Sequence, residues 1–239
     1  MTTWETEKRW VVDSLFLLVL QSGGYSYFFS RLTLCHISFL KSLYGQENLN
    51  GGTAFSGDPD SLTDFIAPPN ATVDGSFFTF TGFGFLVNGT QLPADKFKVV
   101  KATMAEFPAL NCQSVSYATL LFPNGTTNPP HTHPRAAELL FLVDGELQVG
   151  FVDTAGKLYA QTLQVGDMFV FPKGLVHFQY NAGTSYAIAL SAFGSASAGT
   201  VSLPGTLFAT GIDDAVLAKS FKTDVGVIQK LKAGLAVKP

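Results

Sequence analysis

The chain has 239 residues, of which 46% are apolar and only 14% charged, and its net charge is −3. That balance suits one globular domain with a large core and is not basic enough for a nucleic-acid partner. Twenty-two Phe and 23 Gly favour a β-rich fold, in which aromatics pack pleated faces and Gly serves turns, while two cysteines, Cys35 and Cys112, are too few for a disulfide framework.

At the N-terminus, Lys8-Arg9 followed by the apolar run Trp10 to Leu20 resembles the charged start and apolar core of a secretory signal, with Glu5, Glu7 and Asp13 as departures from it. The next apolar stretch, Tyr25 to Leu43, is interrupted by Arg31, His36 and Lys41. Neither run reaches the roughly 18 uninterrupted apolar residues of a membrane span. Asn48 to Gly57, rich in Gly and small polar residues, reads as a linker. Residues 1–57 are therefore expected to be an atypical leader and linker outside the fold, and 58–239 a single domain without internal repeats.

Within that domain, Asn70, Asn88 and Asn124 open Asn-x-Thr sequons, which matter only if the chain is secreted. Strands are expected at Ser114 to Phe122, Glu138 to Val143, Glu146 to Val152, Leu158 to Val165, Met168 to Phe171, His177 to Asn181 and Tyr186 to Ser191. These runs are short, bounded by Gly or Pro, and rich in Val, Leu and Phe, as in a sandwich or small barrel. Glu138–Val143 is apolar on both faces, so it reads as a central strand with Glu138, Leu140 and Leu142 facing in and Leu139, Phe141 and Val143 facing out. At the C-terminal end, Asp213-Asp214 can cap a short helix through Phe221. Thr223-Asp224 can start another, with Val225, Ile228, Leu231 and Leu235 on one stripe, Lys230 and Lys232 in its last turn and Gly234 to end it.

The chemistry concentrates in two stretches. In Pro129-Pro130-His131-Thr132-His133-Pro134-Arg135-Ala136-Ala137-Glu138, His131 and His133 are two apart and share a face of a strand, so they can share one cation. Glu138 lies at an odd spacing from His133. The strand must be broken or bulged at Pro134 for its carboxylate to turn the same way. A second stretch, Gly166 to His177, adds an imidazole at the end of a short apolar strand. Three imidazoles and one carboxylate form an N₃O set suited to Mn(II), Fe(II) or Zn by chemistry alone. Asn128, three residues before His131, can donate a hydrogen bond to a metal-bound ligand, whereas Asn181 is expected to stabilise a turn.

The spacings Gly125, His131-x-His133, Glu138, Gly145 and Gly166, Pro172-x-Gly174, His177, Asn181 resemble both cupin motifs in the form used by plant germins and germin-like proteins. The resemblance runs from about Asp58 to the C-terminus and implies a mainly β fold: one cupin domain, a jelly-roll-like β-barrel with C-terminal α-helices. It implies manganese as the cofactor, held by His131, His133, Glu138 and His177, with Asn128 beside them as a catalytic residue. It also implies an extracellular, apoplast or cell-wall location and a homohexamer built as a trimer of dimers, with residues 213–235 clasping neighbours. The activities implied are superoxide dismutation or oxalate oxidation, linked to hydrogen peroxide production in plant defence and acting on a small anionic or oxygen-derived ligand. Two departures from the pattern stand out. The positions matching the usual disulfide clip are Ile66 and Leu92, which leaves the N-terminal arm to be held by packing and Cys112 as a small buried thiol. The position matching a second barrel asparagine is Ala118, which argues against efficient oxalate oxidation. A non-catalytic structural, storage or ligand-binding role is the alternative.

Overall fold

A computed structural model describes residues 58–235 except for Asp60, 89–91, 93 and 94. The expected leader, with Cys35 and His36, lies outside the described residues. A single helical turn α1 (Phe85–Asn88) precedes ten strands: β1 (Lys98–Ala102), β2 (Ser116–Phe122), β3 (Thr127–Thr132), β4 (Glu138–Asp144), β5 (Leu147–Val152), β6 (Leu158–Leu163), β7 (Met168–Phe171), β8 (Val176–Tyr180), β9 (Ala187–Phe193) and β10 (Val201–Ser202). Helices α2 (Leu203–Phe208), α3 (Asp214–Ser220) and α4 (Val225–Leu235) follow. All seven strands expected from the sequence form, with every end within two residues of its expected position. The sequence reading lacked β1 and β10, and had β3 only as the strand carrying His131, without bounds.

The strands pair antiparallel in two five-stranded sheets, β1-β2-β9-β4-β7 and β10-β3-β8-β5-β6. Alternation decides what they enclose. Glu138, Leu140 and Leu142 are buried on β4, whereas Leu139, Phe141 and Val143 stay 38–41% exposed on its outer face. Phe122, Phe171, Leu140, Leu142 and Leu147 have no exposed surface, and each such Leu or Phe contributes about 1.5–3 kcal/mol by leaving water. The β4–β5 turn requires its glycine: Gly145 has φ +78°, and a Cβ there would lie 2.3 Å from the Tyr186 carbonyl oxygen.

Three expectations need correction. The N-terminal arm is not held by packing alone: the Asp58 carboxylate accepts hydrogen bonds from Ser195 Oγ (2.5 Å) and the Ala196 N–H (2.6 Å), and the Asp58 N–H donates to Ser114 Oγ (3.1 Å). Cys112 is only half-buried and has φ +61°, so it packs as a turn residue rather than as a core hydrophobe. Gly234 lies inside α4 instead of ending it.

The two C-terminal helices themselves form as expected. Asp213 caps α3 by accepting from the Ala215 and Val216 N–H groups, and Lys232 pairs with Asp214 at 2.6 Å. Of the α4 stripe only Ile228 is buried, against Leu217 and Ala218; Val225, Leu231 and Leu235 remain 38–44% exposed.

Candidate metal centre

The two sheets deliver the four candidate ligands from opposite sides. His131 on β3 pairs in register with His177 on β8, so both imidazoles rise from one sheet. Glu138, the first residue of β4, faces them from the other sheet. The odd spacing between His133 and Glu138 is resolved by the expected break at Pro134, which also carries the chain from one sheet to the other. The chain leaves one sheet after Thr132 and enters the other at Glu138, and the register shift lies earlier, between Asn128 and His131. His133 sits on the crossing segment, where its carbonyl accepts from the Gly174 N–H at 3.1 Å.

His131, His133, Glu138 and His177 are all buried, and their ligand atoms lie within 4.8 Å of one another. The Nδ1 of each imidazole faces a backbone carbonyl: Pro129 for His131 (2.9 Å), Gly199 for His133 (2.5 Å) and Leu175 for His177 (2.9 Å). Those three acceptors call for Nδ1–H donors and so turn the bare Nε2 of each ring inward. Phe171 stacks on His177 with centroids 4.5 Å apart, and Phe193 meets His133 edge-on at 4.9 Å. Ring packing thus fixes the orientation that the hydrogen bonds select.

Glu138 divides its two oxygens. Oε2 lies 3.0 Å from His133 Nε2 and 3.2 Å from His177 Nε2, while Oε1 accepts from Ser191 Oγ (2.6 Å) and Gln179 Nε2 (3.3 Å). Three imidazole lone pairs and a carboxylate converging on one buried point repel each other unless a cation sits among them, so this donor set fits a divalent metal. Protonation follows the same logic. Burial, reinforced by the neighbouring His177 charge, pushes His131 down to about 4, so it is a neutral ligand at pH 7. Burial acts to raise the Glu138 carboxyl, but the adjacent His133 and His177 rings, together with the Ser191 hydroxyl, outweigh it and hold the group at about 2. Among the described residues no other group of His, Cys, Asp or Glu gathers in this way.

A cavity of about 230 Å³ opens beside these side chains, walled by Phe97, Ala118, Leu120, Asn128 and Phe193. Asn128 lines it as expected, but its amide is already engaged: Nδ2 donates to Gln179 Oε1 at 2.8 Å and lies 3.4 Å from His131 Nε2. Asn181 stands away from the cavity, its Nδ2 donating to the Phe122 and Ser185 carbonyls while its Oδ1 accepts from the Gly183 N–H. Of the sequons, Asn70 and Asn124 are exposed, and the Asn88 side chain lies outside the description. Sequence reasoning missed Gln179 and Ser191. A signal existed for both, since each is a polar residue at an inward position of its strand.

The similarity of the chain to known proteins matches this geometry. A cupin family model covers residues 87–229. Germin-like protein 9-3 of Oryza sativa subsp. japonica is 65% identical over 186 residues, spanning 75% of this chain and 87% of that protein. The chain belongs to the germin family of cupins. Among other family members, germin-like protein subfamily 2 member 2 of Arabidopsis thaliana is 42% identical over 199 residues, covering 76% of this chain and 89% of that protein. A solved structure of an oxalate oxidase has a TM-score of 0.66 at 34% identity, over 75% of this chain and 98% of that one. Another oxalate oxidase, in complex with the substrate analogue glycolate, shows the same TM-score and coverage at 33% identity. In this germin-family chain the clustered residues are those of the two motifs read from the sequence.

Proposed function

We propose that this chain is a secreted manganese-binding germin-like protein of the plant cell wall, that it dismutes superoxide to hydrogen peroxide and oxygen, and that it is not an efficient oxalate oxidase. His131, His133, Glu138 and His177 would hold the ion, which would supply one-electron exchange with a small bound oxidant. Two superoxide ions and two protons then yield one O₂ and one hydrogen peroxide. The chain's own contribution is three inward-facing imidazoles, the ionised carboxylate and a cavity wall in which Phe97, Leu120 and Phe193 stand beside the site.

The observation that carries this reading is Ala118 in the cavity wall, 4% exposed and without a donor, while the one amide of the lining, Asn128, already donates to Gln179. Three neutral imidazoles and one carboxylate leave a divalent ion with a net charge of +1, which a monoanion such as superoxide neutralises. Oxalate is a dianion, and its second carboxylate would face Ala118, a methyl group with no donor, a costly arrangement. A missing hydrogen bond to a charged group costs about 1.5–3 kcal/mol, roughly ten- to a hundredfold in binding or rate. The relatives solved as oxalate oxidases act on oxalate in their own right.

Manganese-loaded wild type and Ala118→Asn, assayed with superoxide and with oxalate, test the reading. Wild type should dismute superoxide and release little hydrogen peroxide from oxalate, and Ala118→Asn should raise oxalate turnover by about ten- to a hundredfold. Wild-type oxalate turnover comparable with a true germin contradicts the proposal. A metal-loaded protein inert towards superoxide favours the alternative of a metal-stabilised, non-catalytic wall protein.

We also propose a homohexamer. The outer face of the β4-containing sheet exposes Tyr117, Leu139, Phe141, Val143, Met168 and Val170 by 38–57%, and α4 exposes Val225, Leu231 and Leu235. Contiguous apolar surface of this kind is usual where subunits meet.

A further inference from the structure

We infer that Ser191 is a positioning residue of the metal centre, holding one oxygen of Glu138 so that only the other faces the three imidazoles. The inference rests on the reading that this site binds a divalent metal. Ser191 is fully buried at the middle of β9, in register between Ala118 of β2 and Leu140 of β4. The other inward residues of that strand are Ala187, Ala189 and Phe193, so a hydroxyl interrupts an otherwise apolar row. An unpartnered hydroxyl there would be costly. Among the described residues its partner is Glu138 Oε1, at 2.6 Å.

The Ser191 hydroxyl donates and the carboxylate oxygen accepts, at the distance of a charge-assisted bond. Both oxygens now have separate tasks. Oε1 is tied to Ser191 and Gln179, and Oε2 is left beside His133 and His177. A carboxylate held this way would favour holding a metal through Oε2, because Oε1 already accepts two hydrogen bonds and is turned towards β8 and β9. That arrangement would leave a coordination position for an external ligand.

Four full-length proteins test this: wild type, Ser191→Ala, Ser191→Thr and Ser191→Val, each stripped of metal and titrated with Mn(II). Thr and Val are equal in size, so any crowding is common to both and only the hydroxyl separates them. The readouts are the Mn(II) dissociation constant, the fine structure in the electron paramagnetic resonance spectrum of the bound ion, and the unfolding temperature of the metal-free form. Ser191→Ala and Ser191→Val should bind Mn(II) about 10- to 100-fold more weakly and show an altered fine structure, with Ser191→Thr close to wild type. Unchanged affinity and fine structure in Ser191→Ala and Ser191→Val overturns the inference, as does equal weakening in the Thr and Val variants. A loss confined to metal-free stability assigns Ser191 a packing role only and also overturns it. Wild type that takes up no Mn(II) overturns the metal reading together with this inference, a different result from wild-type binding with unaffected variants.

Discussion

Acidifying the metal-free protein from about pH 7 to pH 4 should cost the folded state roughly 3 kcal/mol through His131 alone. The imidazole is only 2% exposed. Burial disfavours its charged form, His177 and His133 add like charge, and the Pro129 carbonyl and Glu138 oppose them without prevailing, so the group moves from 6.5 to about 4. In the unfolded chain the same imidazole takes up a proton as pH falls through 6.5, whereas the folded protein resists until about 4. Between those values the unfolded state binds more protons, so stability rises with pH across the window and falls on acidification. Glu138 acts in a separate window, since its depressed carboxyl contributes stability that is present above 4.5 and lost as pH falls towards 2. Urea unfolding with a chelator present, at several pH values between 7 and 4, measures the effect, and His131→Gln provides the reference because it removes the titrating ring. Wild type should lose roughly 3 kcal/mol more than His131→Gln across this range. Parallel stability curves for the two proteins would refute the argument that burial keeps His131 neutral.

Sedimentation of the full chain should give an assembly of six copies, and a monomeric mass at micromolar concentration contradicts the interface assigned to the exposed sheet face and α4. A fluorescent reporter fused behind residues 1–57 should be exported from plant cells, and retention inside the cell contradicts the secreted assignment.

Much of the fold was legible because alternation and turn residues are local signals. Glu138 to Val143 announces a central strand by its apolar run, and Asp213 announces a helix start by its capping oxygen. The strands that escaped, or whose bounds did, have physical reasons for doing so. β3 contains Pro129-Pro130, which argues against a strand, yet its register shift absorbs them. β1 is an edge strand with lysine at two of its five positions, and β10 has two residues. The four ligands were readable from their spacing, but the geometry that unites them was not. The parity argument called for a break at Pro134 but not for a change of sheet there, and such a crossing depends on tertiary pairing that no local pattern encodes. The support around Glu138 was missed for a related reason. Ser191 and Gln179 lie 53 and 41 residues from Glu138 in sequence, and only the pairing of β9 with β4 and the facing of β8 across the barrel bring them to it.

The central claim is a manganese ion held by His131, His133, Glu138 and His177. Elemental analysis of the protein purified from plant tissue without added metal tests it most directly, with each of the four single-alanine variants measured beside wild type. The account predicts close to one manganese per chain in wild type and loss of most of it in every variant. Wild type without bound metal, or variants that retain it in full, would contradict the account.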